Sequence, residues 1–284
     1  MKIGRIRYLN TRPVYYGLET GAVAMGEEWI MVEGTPAQLN EMLAKGELDV
    51  SVVSCVEYAR HWRDYYVMPR LCIGADGEVK SVLFFSKKPL EDLSGKEVWL
   101  TRSSLTSKTL VKWIMEERGV RPLYREFVMG EEIFLNNHTE AILLIGDEAL
   151  KKREGKVFPY CLDLGVYWKT KTGLPFVFAL WCVRRESVER EPEEVKRVWR
   201  ALLESRDYSA RHLEEVSRLF HRQAGLSPEQ CREYLAGLDF ELTRGHIMGM
   251  ELFFSLLVRR GLIPEEPQLE FFPPLEELDE SYHP

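Results

Sequence analysis

Residues 29–54 read WIMVEGTPAQLNEMLAKGELDVSVVS, and this stretch decides the fold class. Its opening, 29–33, is apolar and β-prone. Gly34 breaks that run, and Thr35-Pro36-Ala37-Gln38 then spells a capping box: Thr35 as N-cap, Pro36 at the first helical position, Gln38 at the third. Leu39, Met42 and Leu43 fall on one helical face, and Gly46 is a natural stop. Residues 49–54 form an apolar run of the kind found in buried parallel strands. Strand, helix and strand within about 25 residues make a βαβ unit, whose crossover is right-handed.

Working outward, residues 2–8 alternate as a short strand and are broken by Asn10-Thr11-Arg12-Pro13, with Pro13 opening a helix to residue 18. A helix is expected over 56–62, and a β-rich run, KSVLFFS, over 80–86. After that run the pattern restarts. A turn at 93–96 leads to a strand at 97–101, a polar loop at 102–107 and an amphipathic helix at 108–117. AILLI at 141–145 reads as a buried strand stopped by Gly146-Asp147, with Asp147 capping a short helix over 148–152. PFVFALWCV at 175–183 is one more strand. The texture then turns helical, with helices expected over 192–205, 209–223, 228–235 and 244–260. An acidic, Pro-rich tail closes the chain and is expected on the surface.

These elements predict a two-lobed α/β fold. Residues 1–86 form the first part of lobe one, 87–175 form lobe two, and 176–284 supply a return strand and the C-terminal helices that complete lobe one. KSVLFFS and PFVFALW are the expected crossing pair, one leaving lobe one and one returning to it. Such an arrangement binds its ligand between the lobes, at the carboxyl ends of the strands.

Composition narrows the classes of function. The 284 residues are 45% hydrophobic and carry a net charge of −7, against the overall basic footprint of a nucleic-acid binder. No run is long and apolar enough for a membrane helix, and MKIGRIRYLNTRPV is not a secretory signal, so a cytoplasmic location is expected. Five widely spaced cysteines with no CxxC are expected as reduced, mostly buried thiols. Six scattered histidines without an HExxH motif suggest no metal site.

The strand-end loops hold the candidate ligand groups. Ser103, Ser104, Thr106 and Ser107 gather hydroxyls at a helix N-terminus, a natural anion site. Tyr8, Ser54 and Gly146 sit at other strand ends. Asn10 offers an amide that both donates and accepts, and Arg12 a guanidinium for a carboxylate. Ser81 opens the crossover strand. Asp147 reads more readily as a helix cap than as a base, and His246 as a helix-start residue.

The motifs YLNTRP (8–13), GTPAQLNEMLAKGELDVSVVSCVEYA (34–59), SVLFFS (81–86), LTRSSLTS (100–107), LLIGDEAL (143–150) and YWKTKTGLPFVFALW (167–181) resemble the chorismate dehydratase family of the futalosine route to menaquinone. The resemblance covers about the first 180 residues, and the C-terminal helices fit in layout only. It implies a type II periplasmic-binding-protein fold with a helical C-terminal third packed on lobe one. It also implies a cofactor-free lyase that removes water from chorismate, a small dicarboxylate, to give carboxyvinyloxy-benzoate. In that family an Asn of the first-strand motif and a Ser near the crossover strand are implicated; they correspond to Asn10 and Ser81. The hydroxyl-rich helix terminus would hold a carboxylate, and the substrate's own carboxylate would serve as base. A monomer or homodimer, with neither nucleic acid nor membrane as partner, fits this picture. Two other readings stay open: the sister dihydroxynaphthoate synthases, and a non-catalytic carboxylate-binding protein of the same fold.

Overall fold

The first sheet has the strand order β2-β1-β3-β10-β4, built from β1 (Lys2–Arg5), β2 (Ile30–Glu33), β3 (Val50–Ser54), β4 (Tyr65–Ala75) and β10 (Phe176–Arg184). The second runs β7-β6-β8-β5-β9, built from β5 (Val82–Ser86), β6 (Glu97–Thr101), β7 (Leu123–Phe127), β8 (Ala141–Ile145) and β9 (Tyr160–Asp163). The structure is a computed structural model that describes residues 1–128, 139–152 and 157–274. The last ten residues of the expected acidic tail lie outside the described residues.

The two sheets share one plan. In each, four strands point the same way, and the fourth position holds the one reversed strand, β10 in the first sheet and β5 in the second. β10 pairs antiparallel with both β3 and β4, and β5 pairs antiparallel with both β8 and β9. The first sheet is thus completed only by β10, which returns after the second sheet's strands, whereas the second sheet is built from one stretch of chain. KSVLFFS, expected in lobe one, belongs to the second sheet, because its apolar residues pair with AILLI from Val82↔Ile145 to Ser86↔Ala141.

The helices are α1 (Arg12–Glu19), α2 (Pro36–Ala44), α3 (Cys55–His61), α4 (Leu105–Glu117), α5 (Gly146–Lys152), α6 (Leu164–Thr172), α7 (Arg185–Arg190), α8 (Pro192–Arg211), α9 (Leu213–Phe220), α10 (Pro228–Ala236) and α11 (Arg244–Arg259). The capping box of α2 forms as read: Gln38 N donates to Thr35 Oγ1 at 3.3 Å, and Thr35 N donates to Gln38 Oε1 at 3.0 Å. Helix α4 begins at Leu105 rather than 108, so Thr106 and Ser107 lie in its buried first turn.

Helix α8 does not break between 205 and 209 but runs on to Arg211. Its buried serines serve close packing on α1 instead. A Cβ placed on Gly17 would lie 2.9 Å from Ser205 Cα, and Ser205 Oγ accepts from Leu18 N at 3.3 Å. Helix α8 also services β4, which bulges around Pro69 and Arg70: Trp199 Nε1 donates to Pro69 O at 2.8 Å and an Arg206 amine to Arg70 O at 2.6 Å.

One hydrophobic cluster runs through both lobes. At the return crossing Trp168, Phe176, Phe178 and Phe253 pack with ring centroids 4.8–5.6 Å apart. The other crossing is held by Asp163, whose carboxylate accepts from Val79 N and Lys80 N as well as from Gly165 N and Val166 N at the start of α6. The segment after α11 lies beside β4, with Val67 N donating to Glu270 O and Phe272 N to Val67 O.

Candidate functional site

A cleft opens where the carboxyl ends of β1 and β3 face those of β6 and β8. From lobe one it is lined by Tyr8, Asn10, Thr11 and Ser54, with Ile6, Pro36, Val52, Val53, Ile73, Phe178 and Ala179 around them. From lobe two come Ser103, Ser104, Ser107 and Gly146, with Val82 and Ile145.

Asn10 rides on a single 3-10 turn, Leu9–Thr11, between β1 and α1. The turn is pinned from inside: the Thr11 hydroxyl is buried and donates to Ile6 O at 2.6 Å. The Asn10 Oδ1 is buried and accepts no hydrogen bond from the described residues. A buried acceptor left unmatched at a cleft wall is costly unless a ligand meets it. Ser54 caps α3 by accepting from Glu57 N at 3.3 Å, and Ser104 caps α4 by accepting from Ser107 N at 3.1 Å. The first turn of α4 thus offers hydroxyls and backbone N–H groups at the positive end of a helix dipole. Tyr8 crosses to lobe two. Burial pushes its phenol up, the Ser103 hydroxyl draws it part of the way back, and it is protonated at neutral pH. Gly146 has φ +58°, which glycine adopts without strain, and a Cβ there would press on the Tyr8 ring at 3.3 Å. Tyr8 is the only ionisable side chain among the described residues lining the cleft.

Four expected site residues are placed elsewhere. Arg12 turns outward at the start of α1: its guanidinium stacks on Phe220 at 4.4 Å and bonds Glu19 and Gln223. Thr106 faces across the lobe boundary, where its hydroxyl accepts from Val56 N at 2.8 Å and so caps α3 from the opposite lobe. Asp147 is not an N-cap, since α5 begins at Gly146; its carboxylate accepts from Leu9 N at 3.0 Å and Gln223 Nε2 at 2.7 Å. Ser81 is fully buried, one residue behind the wall formed by Val82; its carbonyl accepts from Gly146 N at 2.7 Å. Its hydroxyl faces Tyr234 of α10, a phenol that burial pushes far up. No local pattern marks Tyr234 or Phe178 for this neighbourhood. They arrive by tertiary packing. His246 is the third residue of α11 and closes a capping box with Thr243, its Nε2 meeting Asp239 at 3.1 Å. Four of the five cysteines are buried, Cys161 is exposed, and none forms a disulfide.

The chain is similar to known proteins in sequence and in fold. A chorismate dehydratase of Thermus thermophilus is 31% identical over 270 residues, covering 90% of this chain and 94% of the relative. A second, from Campylobacter jejuni, is 29% identical over 194 residues, covering 67% and 71%. Among solved structures, an Archaeoglobus fulgidus protein superposes with a TM-score of 0.77 at 20% identity, covering 92% of this chain and 98% of its own. The periplasmic aliphatic sulphonate binding protein SsuA of Escherichia coli superposes at 0.66 and 14%, covering 95% of each. These structural likenesses show the fold, a two-lobed periplasmic-binding-protein-like one. The family described as Menaquinone biosynthesis matches residues 1–259. On that match and the Thermus relative, the chain belongs to the menaquinone biosynthesis family.

Proposed function

We propose that the protein is a chorismate dehydratase, a lyase that eliminates water from chorismate to give carboxyvinyloxy-benzoate. The observation that carries this reading is the make-up of the cleft: hydroxyls and one amide converge on it, with the Asn10 Oδ1 buried and unmatched. Such a wall fixes a conformer and directs hydrogen bonds, which is what this elimination asks of its enzyme.

Chorismate loses a ring proton and a ring hydroxide, and the ring becomes aromatic. That gain drives the step. Asn10 orients the substrate and hydrogen-bonds the departing hydroxyl. The first turn of α4, with Ser103 and Ser104, receives a carboxylate. Tyr8 donates from its protonated phenol, and Ser54 bonds from the lobe-one side. No carboxylate, imidazole or amine lies among the described lining residues, so the proton passes to the substrate's own carboxylate. Ser81 supports the wall from behind through Gly146. The apolar remainder of the cleft holds the ring and keeps it from folding into the competing Claisen rearrangement.

Among the described residues no helix is long and apolar enough to cross a membrane. The reading places the enzyme in the cytoplasm, acting as a monomer or homodimer. Incubating purified protein with chorismate and following products by chromatography and mass tests it. Enzyme-dependent formation of the dehydrated aromatic product is expected; unchanged chorismate with folded protein overturns the reading.

A further inference from the structure

The turn that carries Asn10 is held from the other lobe. Leu9 N, next to Asn10, donates to Asp147 Oδ1 at 3.0 Å. The second oxygen of Asp147 accepts from Gln223 Nε2 at 2.7 Å. That same Nε2 also donates to Arg7 O, and Gln223 Oε1 accepts from Arg12 at 3.3 Å. The Gln223 amide is therefore fixed in orientation at both ends. Asp147 needs no such arrangement for the fold of α5, where it lies within the first turn rather than capping it. Burial raises its carboxyl above the usual value despite both hydrogen bonds, so holding it ionised works against folding. A half-buried carboxylate that bridges the Asn10 turn and a fixed amide, beyond anything α5 requires, points to a role in the site.

We propose that Asp147 is the positioning residue for Asn10: its carboxylate, oriented by Gln223 and through it by Arg12, fixes the backbone of the turn that presents the Asn10 amide to the cleft. The proposal rests on the dehydratase reading. Asp147 touches no substrate and acts through the turn. It also explains Arg12, whose guanidinium reaches the site only through Gln223.

The test compares wild type, Asp147→Ala, Asp147→Asn and Gln223→Ala with chorismate, alongside hydrogen exchange at the Leu9 amide and thermal melting. Asp147→Ala should lower kcat roughly tenfold or more while KM moves less than about threefold, and should speed Leu9 exchange. Asp147→Asn keeps an oxygen for Leu9 N but sets its NH2 against the Gln223 NH2, so its kcat should lie between those of Asp147→Ala and wild type. Gln223→Ala should fall between. A purely structural role would instead lower the melting temperature and leave kcat per folded molecule unchanged, which overturns the proposal. So would an Asp147→Ala variant with wild-type kcat or unchanged Leu9 exchange. If the wild type itself leaves chorismate intact, the dehydratase reading falls and takes this role with it; if the wild type turns over and Asp147→Ala matches it, the positioning role falls alone.

Discussion

Asn10 and Gly146 make the site's demands concrete at the scale of single residues. Asn10→Ala removes the one amide at the wall and relieves a buried unmatched oxygen, so melting should hold while turnover collapses. Near-normal turnover would remove Asn10 from the chemistry. Gly146→Ala should do the reverse in part. The left-handed backbone costs a β-carbon about 1–2 kcal/mol, and the new methyl would press on the Tyr8 ring at 3.3 Å. Urea denaturation should show the loss of stability, and substrate binding should weaken because Tyr8 moves. Strand-end position in the sequence was enough to bring Tyr8, Asn10, Ser54, Ser103, Ser104, Ser107 and Gly146 to the cleft. It was not enough for Arg12, Thr106 and Asp147, because loop position says where a residue sits and not which way its side chain turns. Those three directions are set by Phe220, Val56 and Gln223, contacts distant along the chain.

Among the elements, α3 and α4 meet end to end across the lobe boundary, and one hydroxyl joins them. Thr106→Val keeps the shape but leaves Val56 N–H buried without an acceptor. The expected cost is about 1–3 kcal/mol, read from urea midpoints, with α4 itself still helical. The elements that sequence reading recovered were those whose signals are local: the α2 capping box, the AILLI strand, the strand at 97–101. Those it missed carry weak local signals. β4 contains Pro69 and a residue at positive φ, and its bulge is satisfied by α8 rather than by its own pattern. β7 and β9 are short edge strands with exposed polar positions, where the hydrophobic alternation fades. Helix α6 buries Leu164, Tyr167 and Trp168 only in its first half, the second half being polar, and its ends are set by Asp163 and by Gly173 at φ +74°. The continuity of α8 was hidden by serines that read as a break and act as close-packing positions.

Across the whole molecule, pH acts through half-buried carboxylates shifted in opposite directions. Burial pushes Asp49 up, but the Ser187 hydroxyl, Lys2 N–H and Arg190 outweigh it and hold it below the usual range. Its contribution is present above the unfolded-chain value and is lost as pH falls through the folded one. In Asp147 and Asp163 burial outweighs the hydrogen bonds and raises both, so their contribution is full in acid and is lost as pH rises through the folded values. Asp49→Asn should therefore lower the urea midpoint at about pH 7, and the gap should shrink as the solution is taken below the usual carboxylate range; a gap that does not shrink with acidification would contradict the assignment. The late return of β10 to the first sheet also sets an order of events during synthesis. Every strand of the second sheet lies between residues 82 and 163, whereas the first sheet lacks an interior strand until residue 184 has been made. On the ribosome, the half that begins later finishes first, and the N-terminal strands wait with a gap between β3 and β4 that only the returning chain can fill.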